Sequence, residues 1–294
     1  MTGLTYLTNL IALTIFVQMY TLNCKGRILT IRQPLVMGII NLTPDSFYAA
    51  SRVDGRDAIL KHAEQMLNDG ADILDIGGQS TRPGSEKISP DEELKRVVEP
   101  VKTIAEKFPS AFISIDTFYS SVAIEAVNAG ACIVNDISGG SLDDEMINTV
   151  TSLNVPYVLM HMQGVPQTMQ QEPHYENVTR EVLDFFIEKK AQLNKTGIKD
   201  VIIDPGFGFG KTNAHNFELL RNLSVFKMLD APILLGISRK SMITKTLNIK
   251  NTEALNGTSV LNTIGLMNGA SILRVHDVKQ AKEAVKLYNE TFNQ

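Results

Sequence analysis

Short apolar runs alternate with longer amphipathic segments from about residue 35 to the end of the chain. Each run is rich in Val, Ile and Leu, which is typical of a strand buried on both faces. The predicted strands are 35–40, 71–76, 111–115, 131–134, 156–160, 200–203, 232–235 and 271–273. Segments with helical spacing follow them, for example 57–69, 91–107, 118–129, 175–195, 253–268 and 277–291.

This strict alternation indicates a parallel sheet with right-handed crossovers. Eight β/α units over roughly 255 residues predict an α/β protein made of a single (β/α)8 TIM barrel. A doubly wound open sheet is the main alternative, and the count of eight disfavours it. We find no interdomain linker, low-complexity tract or solenoid repeat, so we predict one barrel domain over residues 19–294.

The first residues need a separate interpretation. Residues 4–20 form an uncharged, largely apolar run at the short limit for a membrane span, and it contains several Thr and Asn residues. No Lys or Arg precedes it, so the basic start of a signal peptide is missing. We therefore expect residues 1–18 to be a non-core extension, and we expect no stable membrane association.

Composition narrows the class of protein. A hydrophobic content of 44% and a charged content of 20% are typical of a soluble globular protein. The net charge of −4 gives no support to nucleic-acid binding. The two cysteines, Cys24 and Cys132, indicate neither a disulfide framework nor a zinc site. We expect a cytoplasmic protein whose partners are small molecules.

In a barrel of this type the active site is built from the loops that follow the strands. Polar residues follow every predicted strand, and we expect them to converge on one cup. They are Asn41, the 77–84 loop, Asp116, Asn135, His161, Asp204, the 238–241 segment and the 274–277 segment. The glycine-rich 202–211 stretch is neither a P-loop nor a dinucleotide fingerprint, because Pro205 and Lys211 stand where those motifs need glycine.

Asp116, Asn135 and Asp204 offer acceptors and an amide at neighbouring strand ends. Such a set suits a flat, amine-rich heterocycle that presents several N–H donors. The alternative is that Asp116 caps helix 118–129 and that Asp204 is a turn residue before Pro205.

Arg274 and His276 lie two residues apart, so in an extended backbone they point the same way. Phosphate sites in this fold often form after strands 7 and 8, and Arg supplies a planar fork of donors. The alternative is a surface arginine beside a chance histidine. Lys240 could contact the heterocycle or a phosphate, or could be a solvated lysine.

Asn41, with a phosphate nearby, points to Mg2+, which prefers oxygen ligands and commonly bridges substrate phosphates. The alternative is an asparagine that caps the turn at residues 43–45. His161 is better explained as a packing histidine than as a metal ligand, because it has no partner at metal-binding spacing.

Taken together, these motifs resemble the dihydropteroate synthase family of pterin-binding barrels, over roughly residues 21–290. The resemblance is carried by seven segments: Asn41 to Phe47, Asp75 to Gly84, Ser114 to Thr117, Asn135 to Gly140, Asp204 to Lys211, Ser238 to Ser241 and Arg274 to Asp277.

The resemblance implies that 6-hydroxymethyl-7,8-dihydropterin diphosphate condenses with 4-aminobenzoate and that the chain falls in the class of enzymes that sulfonamides target. The sequence leaves the oligomeric state open, and a homodimer is expected because such barrels often pair through their outer helices. The resemblance also implies a catalytic role for Asp116, Lys240 and Asp204. Binding roles follow by matching positions: Asp116, Asn135, Asp204 and Lys240 for the pterin; Thr81, Arg274 and His276 for the diphosphate, with Asn41 acting through Mg2+; and Arg82, Pro83, Phe209 and Ser241 for 4-aminobenzoate.

One segment departs from the family. After Phe47 the family usually continues Ser-Asp-Gly-Gly, whereas residues 48–52 here are Tyr-Ala-Ala-Ser-Arg. This loop therefore lacks a glycine hinge and an acidic residue, which bears on its closure and on the fit of aminobenzoate or sulfonamides. Since the pterin and leaving-group residues are intact, we expect synthase activity.

Two other functions remain open. A methyltransferase acting on a methylated folate would share the pterin carboxylates but would not need Arg274 and His276. A non-catalytic pterin-binding barrel would be expected to lose the cationic residues of the mouth.

Overall fold

The computed structural model describes residues 19–43, 52–80, 87–165, 168–169 and 172–292. It begins with two antiparallel strands that the apolar pattern did not predict, β1 (Tyr20–Cys24) and β2 (Arg27–Ile31). Lys25 and Gly26 join them with φ angles of 54° and 84°. Two successive positive φ angles match the twist that a tight hairpin needs.

The hairpin closes the amino end of the barrel. Leu22, Cys24, Leu29 and Ile31 pack in one cluster with residues near the starts of the barrel strands. Arg27 fixes the edge by donating hydrogen bonds of 2.8 and 2.9 Å to the carbonyls of Pro109 and Ala111. Apolar burial and these directed bonds therefore hold the hairpin across the barrel floor.

Eight parallel strands form the barrel wall, and the predicted (β/α)8 barrel is confirmed. The strands are β3 (Leu35–Asn41), β4 (Ile73–Gly77), β5 (Phe112–Asp116), β6 (Ile133–Asp136), β7 (Tyr157–Met160), β8 (Val201–Asp204), β9 (Leu234–Leu235) and β10 (Ile272–Val275). Their hydrogen-bonded order is β8-β7-β6-β5-β4-β3-β10-β9. A parallel bridge between Ile203 and Ile233 joins β8 to β9 and closes the ring.

Helices follow the strands and cover their outer faces. They are α1 (Arg52–Asn68), α2 (Pro90–Lys107), α3 (Ser120–Ala129), α4 (Met146–Leu153), α5 (Val178–Thr196), α6 (Asn213–Arg221), α7 (Ser241–Leu247), α8 (Leu255–Met267) and α9 (Val278–Phe292). Local signals set several starts: Ser89 caps α2 with Pro90 in the first turn, and Asn177 caps α5. None of the helices in the described ranges is long and apolar enough to cross a membrane.

Most of the observed strands begin one or two residues later than their apolar runs and extend further into the polar residues behind them. Strand β6, for example, starts at Ile133 rather than at residue 131 and includes Asn135 and Asp136. The apolar pattern marks buried side chains, whereas the strand is defined by backbone pairing, which continues through polar residues. Asp116, Asn135, Asp204 and Arg274 therefore lie on strands, whose backbone is more rigid than that of loops.

Candidate active site

One layer of the barrel interior is made of polar side chains. In an eight-stranded barrel with a shear of about 8, each interior layer takes one side chain from every second strand. The next member of a layer lies two strands along the ring and two residues beyond the position that is in register with the first member. Counting in this way leads from Asp75 to Asn135. The same count leads on to Asp204 and Arg274. Bulky apolar residues dominate the usual layers of such barrels, so this layer is a site and not a packed core.

Hydrogen bonds connect three of the four members of this layer through Asp75, to which the sequence assigned no role. Oδ2 of Asp75 accepts a 2.6 Å bond from Nε of Arg274 and a 3.1 Å bond from Nδ2 of Asn135. Asp75 is fully buried. Asp75 was named in the Asp75 to Gly84 segment, but it received no role because it lies inside the apolar run 71–76, and roles were assigned only to polar residues beyond the strand ends. A single carboxylate within a strand buried on both faces was the available signal.

Asp116 lies above this layer, at the end of β5. Its Oδ2 accepts a 2.5 Å hydrogen bond from the guanidinium of Arg274. Burial raises the pKa of Asp116 to about 7, because it outweighs the opposing attraction of Arg274. The alternative in which Asp116 caps the next helix is wrong, because α3 begins at Ser120 and Tyr119 occupies the cap position.

Asp204 and Lys240 are two further opposite charges that influence each other electrostatically, while the ammonium of Lys240 donates its hydrogen bond to the carbonyl of Phe207. The pKa of Lys240 is lowered to about 8 by burial, and the nearby Asp204 opposes this shift. Burial likewise raises the pKa of Asp204, while Lys240 lowers it. Oδ1 of Asp204 accepts a 2.7 Å bond from the backbone N–H of Gly206, so the turn role considered for this aspartate is real and uses only one of its oxygens.

Asn135 and Asp136 are adjacent in sequence and have different roles, because successive residues of a strand face opposite sides of the sheet. Asn135 faces the barrel interior. Asp136 shapes the loop that follows β6: its oxygens accept bonds of 2.7 Å from the hydroxyls of Ser138 and Tyr157 and of 2.8 Å from the N–H of Gly140.

The loops after β9 and β10 are joined by two residue pairs, Ser238 with His276 and Arg239 with Asp277. Nδ1 of His276 lies 3.0 Å from the hydroxyl of Ser238. Arg239 donates two hydrogen bonds to the carboxylate of Asp277, at 2.9 and 2.6 Å. This pairing places His276, Arg274 and the start of α7, where Ser241 is exposed, along one side of the mouth.

An apolar wall lines the adjacent side of the mouth. It consists of Phe118, Ile137, Met160, Met169 and Phe209, which come from four successive loops and strand ends. The ammonium of Lys240 lies 4.6 Å from the centre of the Phe209 ring, within cation–π range. Apart from Phe209, sequence reasoning missed these residues because it searched for polar groups alone. A flat ring could stack on this wall while the polar layer reads its edge.

Lys211 anchors the glycine-rich loop from beneath. Its ammonium donates 3.0 Å bonds to the carbonyls of Gly206 and Phe209 and lies 2.9 Å from Nδ1 of His161. Burial lowers the pKa of His161 to about 2, which keeps the imidazole neutral and able to accept. His161 is thus a buried packing histidine that helps to hold the loop carrying Phe209.

Asn41, half-buried at the end of β3, offers one side-chain oxygen for a metal. Within the described parts of the chain, no cluster of three or more His, Cys, Asp or Glu residues could hold a metal ion. This donor set fits an Mg2+ ion bound mainly through phosphate oxygens and water, and does not fit an ion that the protein holds alone.

Other predicted site residues lie outside the described residues, namely Thr81, Arg82 and Pro83. The same is true of the 1–18 extension and of residues 48–51, where the chain departs from the family pattern.

Comparison with known proteins gives a consistent result. The family model described as pterin binding enzyme matches residues 37–276. The dihydropteroate synthase of Escherichia coli K12 is 43% identical over 271 residues, which cover 92% of this chain and 95% of that protein.

Solved structures agree with these matches. The Yersinia pestis dihydropteroate synthase in a sulfonamide drug complex has a TM-score of 0.87 at 39% identity, covering 93% of this chain and 99% of that one. The Xanthomonas albilineans dihydropteroate synthase in complex with 7,8-dihydropteroate has a TM-score of 0.83 at 35% identity, covering 92% and 98%.

Proposed function

We propose the function of this chain from its family: it belongs to the pterin-binding enzymes and, within them, to the dihydropteroate synthases. It is a transferase of folate biosynthesis that condenses 6-hydroxymethyl-7,8-dihydropterin diphosphate with 4-aminobenzoate, and it falls in the class that sulfonamides target. The observation that supports this most directly is the 2.5 Å contact between Arg274 and Asp116. It places a cation that can stabilise the leaving group next to a carboxylate that can stabilise the reacting carbon.

The residue assignments are part of this proposal, and the geometry of the cup supports them. Asn135 and Asp204 form hydrogen bonds with the edge of the pterin, and the apolar wall packs against the face of its ring. Arg274 and His276 receive the diphosphate on the β10 side. Ser241 and Phe209 border the aminobenzoate position.

The chemistry needs no nucleophilic side chain. As the bond between the pterin methylene and the diphosphate oxygen breaks, positive charge develops on the pterin and negative charge on the departing group. Asp116 and Asp204 stabilise the first charge, and Arg274 stabilises the second, in a site that is largely shielded from water. The amine of 4-aminobenzoate then attacks the methylene carbon, the C–N bond forms, and the nitrogen loses a proton, for which the released diphosphate is an acceptor.

We propose Mg2+ as the cofactor, with Asn41 as its protein ligand. When it is bound, the ion supplies charge neutralisation to the diphosphate. The support is the nature of the donor set: one amide oxygen at the rim suits an ion that arrives with its phosphate ligands.

We propose a homodimer that pairs through α8. Val260, Ile264 and Met267 recur on one exposed face of this helix, at 50%, 38% and 57% exposure. An exposed apolar stripe of this kind marks a contact surface. Sedimentation of the purified chain tests the dimer, and a single-chain mass at all concentrations would contradict it.

A cytoplasmic location is part of the proposal, in keeping with two buried cysteines that are both free thiols.

The decisive experiment measures diphosphate release from the pterin diphosphate with and without 4-aminobenzoate and Mg2+. We expect release that requires both. Pterin binding without release would favour a non-catalytic barrel, and methyl transfer without diphosphate release would favour the methyltransferase.

A further inference from the structure

The buried carboxylate of Asp75 has a position that the proposed function does not use. Asp75 lies on β4, whereas Asn135 lies on β6 and Arg274 on β10. Each of these two strands is separated from β4 by one other strand, so Asp75 stands at the middle of an arc of five strands. Its contacts are therefore not strand-neighbour contacts but bonds across the barrel interior.

One oxygen of Asp75 accepts both hydrogen bonds, from Nε of Arg274 and from Nδ2 of Asn135. Among the described residues, its other oxygen has no hydrogen-bond partner. The neighbour of Asp75 on β5, Ser114, has a buried hydroxyl that also lacks a partner there. Asn135 and Arg274 are therefore the groups that compensate this buried carboxylate, and the carboxylate fixes both of them in return.

The contact also decides which way the amide of Asn135 faces. A carboxylate ion-paired with Arg274 accepts hydrogen bonds and cannot donate them. The NH2 group of Asn135 must therefore turn towards Asp75, and its carbonyl oxygen turns away. That oxygen is the group that an N–H donor on a heterocycle needs.

We propose that Asp75 is a positioning residue that sets two subsites at once: it fixes the amide of Asn135 as an acceptor for the pterin and holds the guanidinium of Arg274 for the diphosphate. This inference rests on the proposed function. It makes the two subsites interdependent, because a displacement of Asp75 moves both groups.

The test uses the full chain and two separate probes, 6-hydroxymethylpterin and inorganic diphosphate with Mg2+, with binding measured by calorimetry. Asp75→Asn keeps the shape but can donate, so it allows the amide of Asn135 to flip and it weakens the hold on Arg274. We expect about a tenfold loss of affinity for each probe. Diphosphate release should fall about 100-fold in kcat/KM.

Ser114→Ala is the matched control, because it changes the adjacent polar side chain of the same interior region without touching Asn135 or Arg274. We expect its two affinities to stay within about twofold of the unmodified chain. A purely structural role for Asp75 would lower the melting temperature of Asp75→Asn and leave both affinities intact, and that result would overturn the proposal.

A reciprocal variant keeps the proposal testable if Asp75→Asn does not fold. Asn135→Ala removes one of the two groups that Asp75 holds, so we expect it to weaken inorganic diphosphate binding about threefold, although it lies in the pterin subsite. Unchanged diphosphate affinity in this variant would overturn the coupling. If the unmodified chain bound neither probe, both the proposed function and this inference would fail. Normal binding in the unmodified chain and in Asp75→Asn would overturn only the role of Asp75.

Discussion

The guanidinium of Arg274, on the last strand of the barrel, donates a 2.5 Å hydrogen bond to the carboxylate of Asp116, at the end of the third. These residues are 158 positions apart in sequence and come from opposite sides of β4 in the ring. Removing Arg274 takes the paired cation away from Asp116 and from Asp75, whereas removing Asp116 leaves Arg274 with Asp75 as its carboxylate partner. The acidic and the basic halves of the cup therefore cannot be altered independently.

The first prediction concerns the charge of Asp116. Asp116→Asn keeps the side-chain shape and removes the charge that faces the developing cation. We expect a loss of about 3 kcal/mol of transition-state stabilisation, measured as kcat/KM for diphosphate release, with the fold intact by circular dichroism. The control is Asp184→Asn, on the exposed face of α5. Turnover like that of the unmodified chain would remove Asp116 from the mechanism.

A second prediction concerns pH. The pKa of Asp116 is raised to about 7 and that of Lys240 is lowered to about 8, in each case mainly by burial. Catalysis needs the ionised carboxylate and the charged lysine, so kcat/KM should fall by about tenfold per unit below pH 7 and should also fall above pH 8. A flat profile from pH 5 to pH 9 would contradict this.

The contribution of Asp116 to the free energy of unfolding should change in the opposite direction to activity over the acidic part of this pH range. The folded chain holds the proton of Asp116 up to about pH 7, whereas an unfolded Asp loses it near pH 3.9. The contribution of this group to stability is therefore fully present below the unfolded pKa and is lost as pH rises through 7. Melting temperatures across this range measure it. Asp116→Asn should lose this part of the pH dependence, and an unchanged dependence in that variant would contradict the assignment.

The third prediction concerns the clamp between Arg239 and Asp277. Lysine cannot reproduce the two parallel hydrogen bonds of arginine, so Arg239→Lys should loosen the loops that carry Lys240 and His276. We expect the KM for the pterin diphosphate to rise about tenfold. Arg180→Lys is the control, because the Arg180–Asp184 pair is exposed and 3.7 Å apart. Equal effects of the two substitutions would show that the clamp has no special role.

The fourth prediction concerns Lys211. Lys211→Met removes the donor that several backbone carbonyls and His161 share, so we expect a loss of about 3 kcal/mol in the free energy of unfolding. Chemical denaturation measures this loss. Because the same loop carries Phe209, the KM for 4-aminobenzoate should rise as well.

Lys190→Met is the matched control for Lys211. The ammonium of Lys190 also donates to two carbonyls, those of Leu229 and Asp230, but at a more exposed edge. We expect a loss below about 1 kcal/mol. Similar losses in both variants would argue against an anchoring role for Lys211.

The fifth prediction tests the metal. Asn41→Ala removes the one side-chain oxygen assigned to Mg2+, so the Mg2+ concentration needed for half-maximal diphosphate release should rise about tenfold. Because the ion keeps its phosphate and water ligands, activity should return at high Mg2+. An unchanged Mg2+ requirement would show that Asn41 is not a ligand of the ion.

The sequence predicted the barrel because strands buried on both faces leave an apolar run that no turn or amphipathic helix imitates. It also located Asp116, Asn135 and Asp204 near the strand ends, since parallel strands bring their carboxyl ends to one rim. Which partner each of them contacts could not be predicted, because the bonds of Arg274 depend on the closure of the ring.

Two features escaped for different reasons. The hairpin was missed because β1 and β2 each bury only alternate residues and so leave no continuous apolar run. Its signal was the Lys25-Gly26 pair between two short β-rich segments. The apolar wall of the mouth was missed because Phe118 and Ile137 look like ordinary core residues until the fold places them beside the cup.

The hairpin covers the floor of a barrel whose lower interior is filled by apolar side chains, so the cup opens at the opposite rim. Under the proposed function, both reactants enter and both products leave through that one rim.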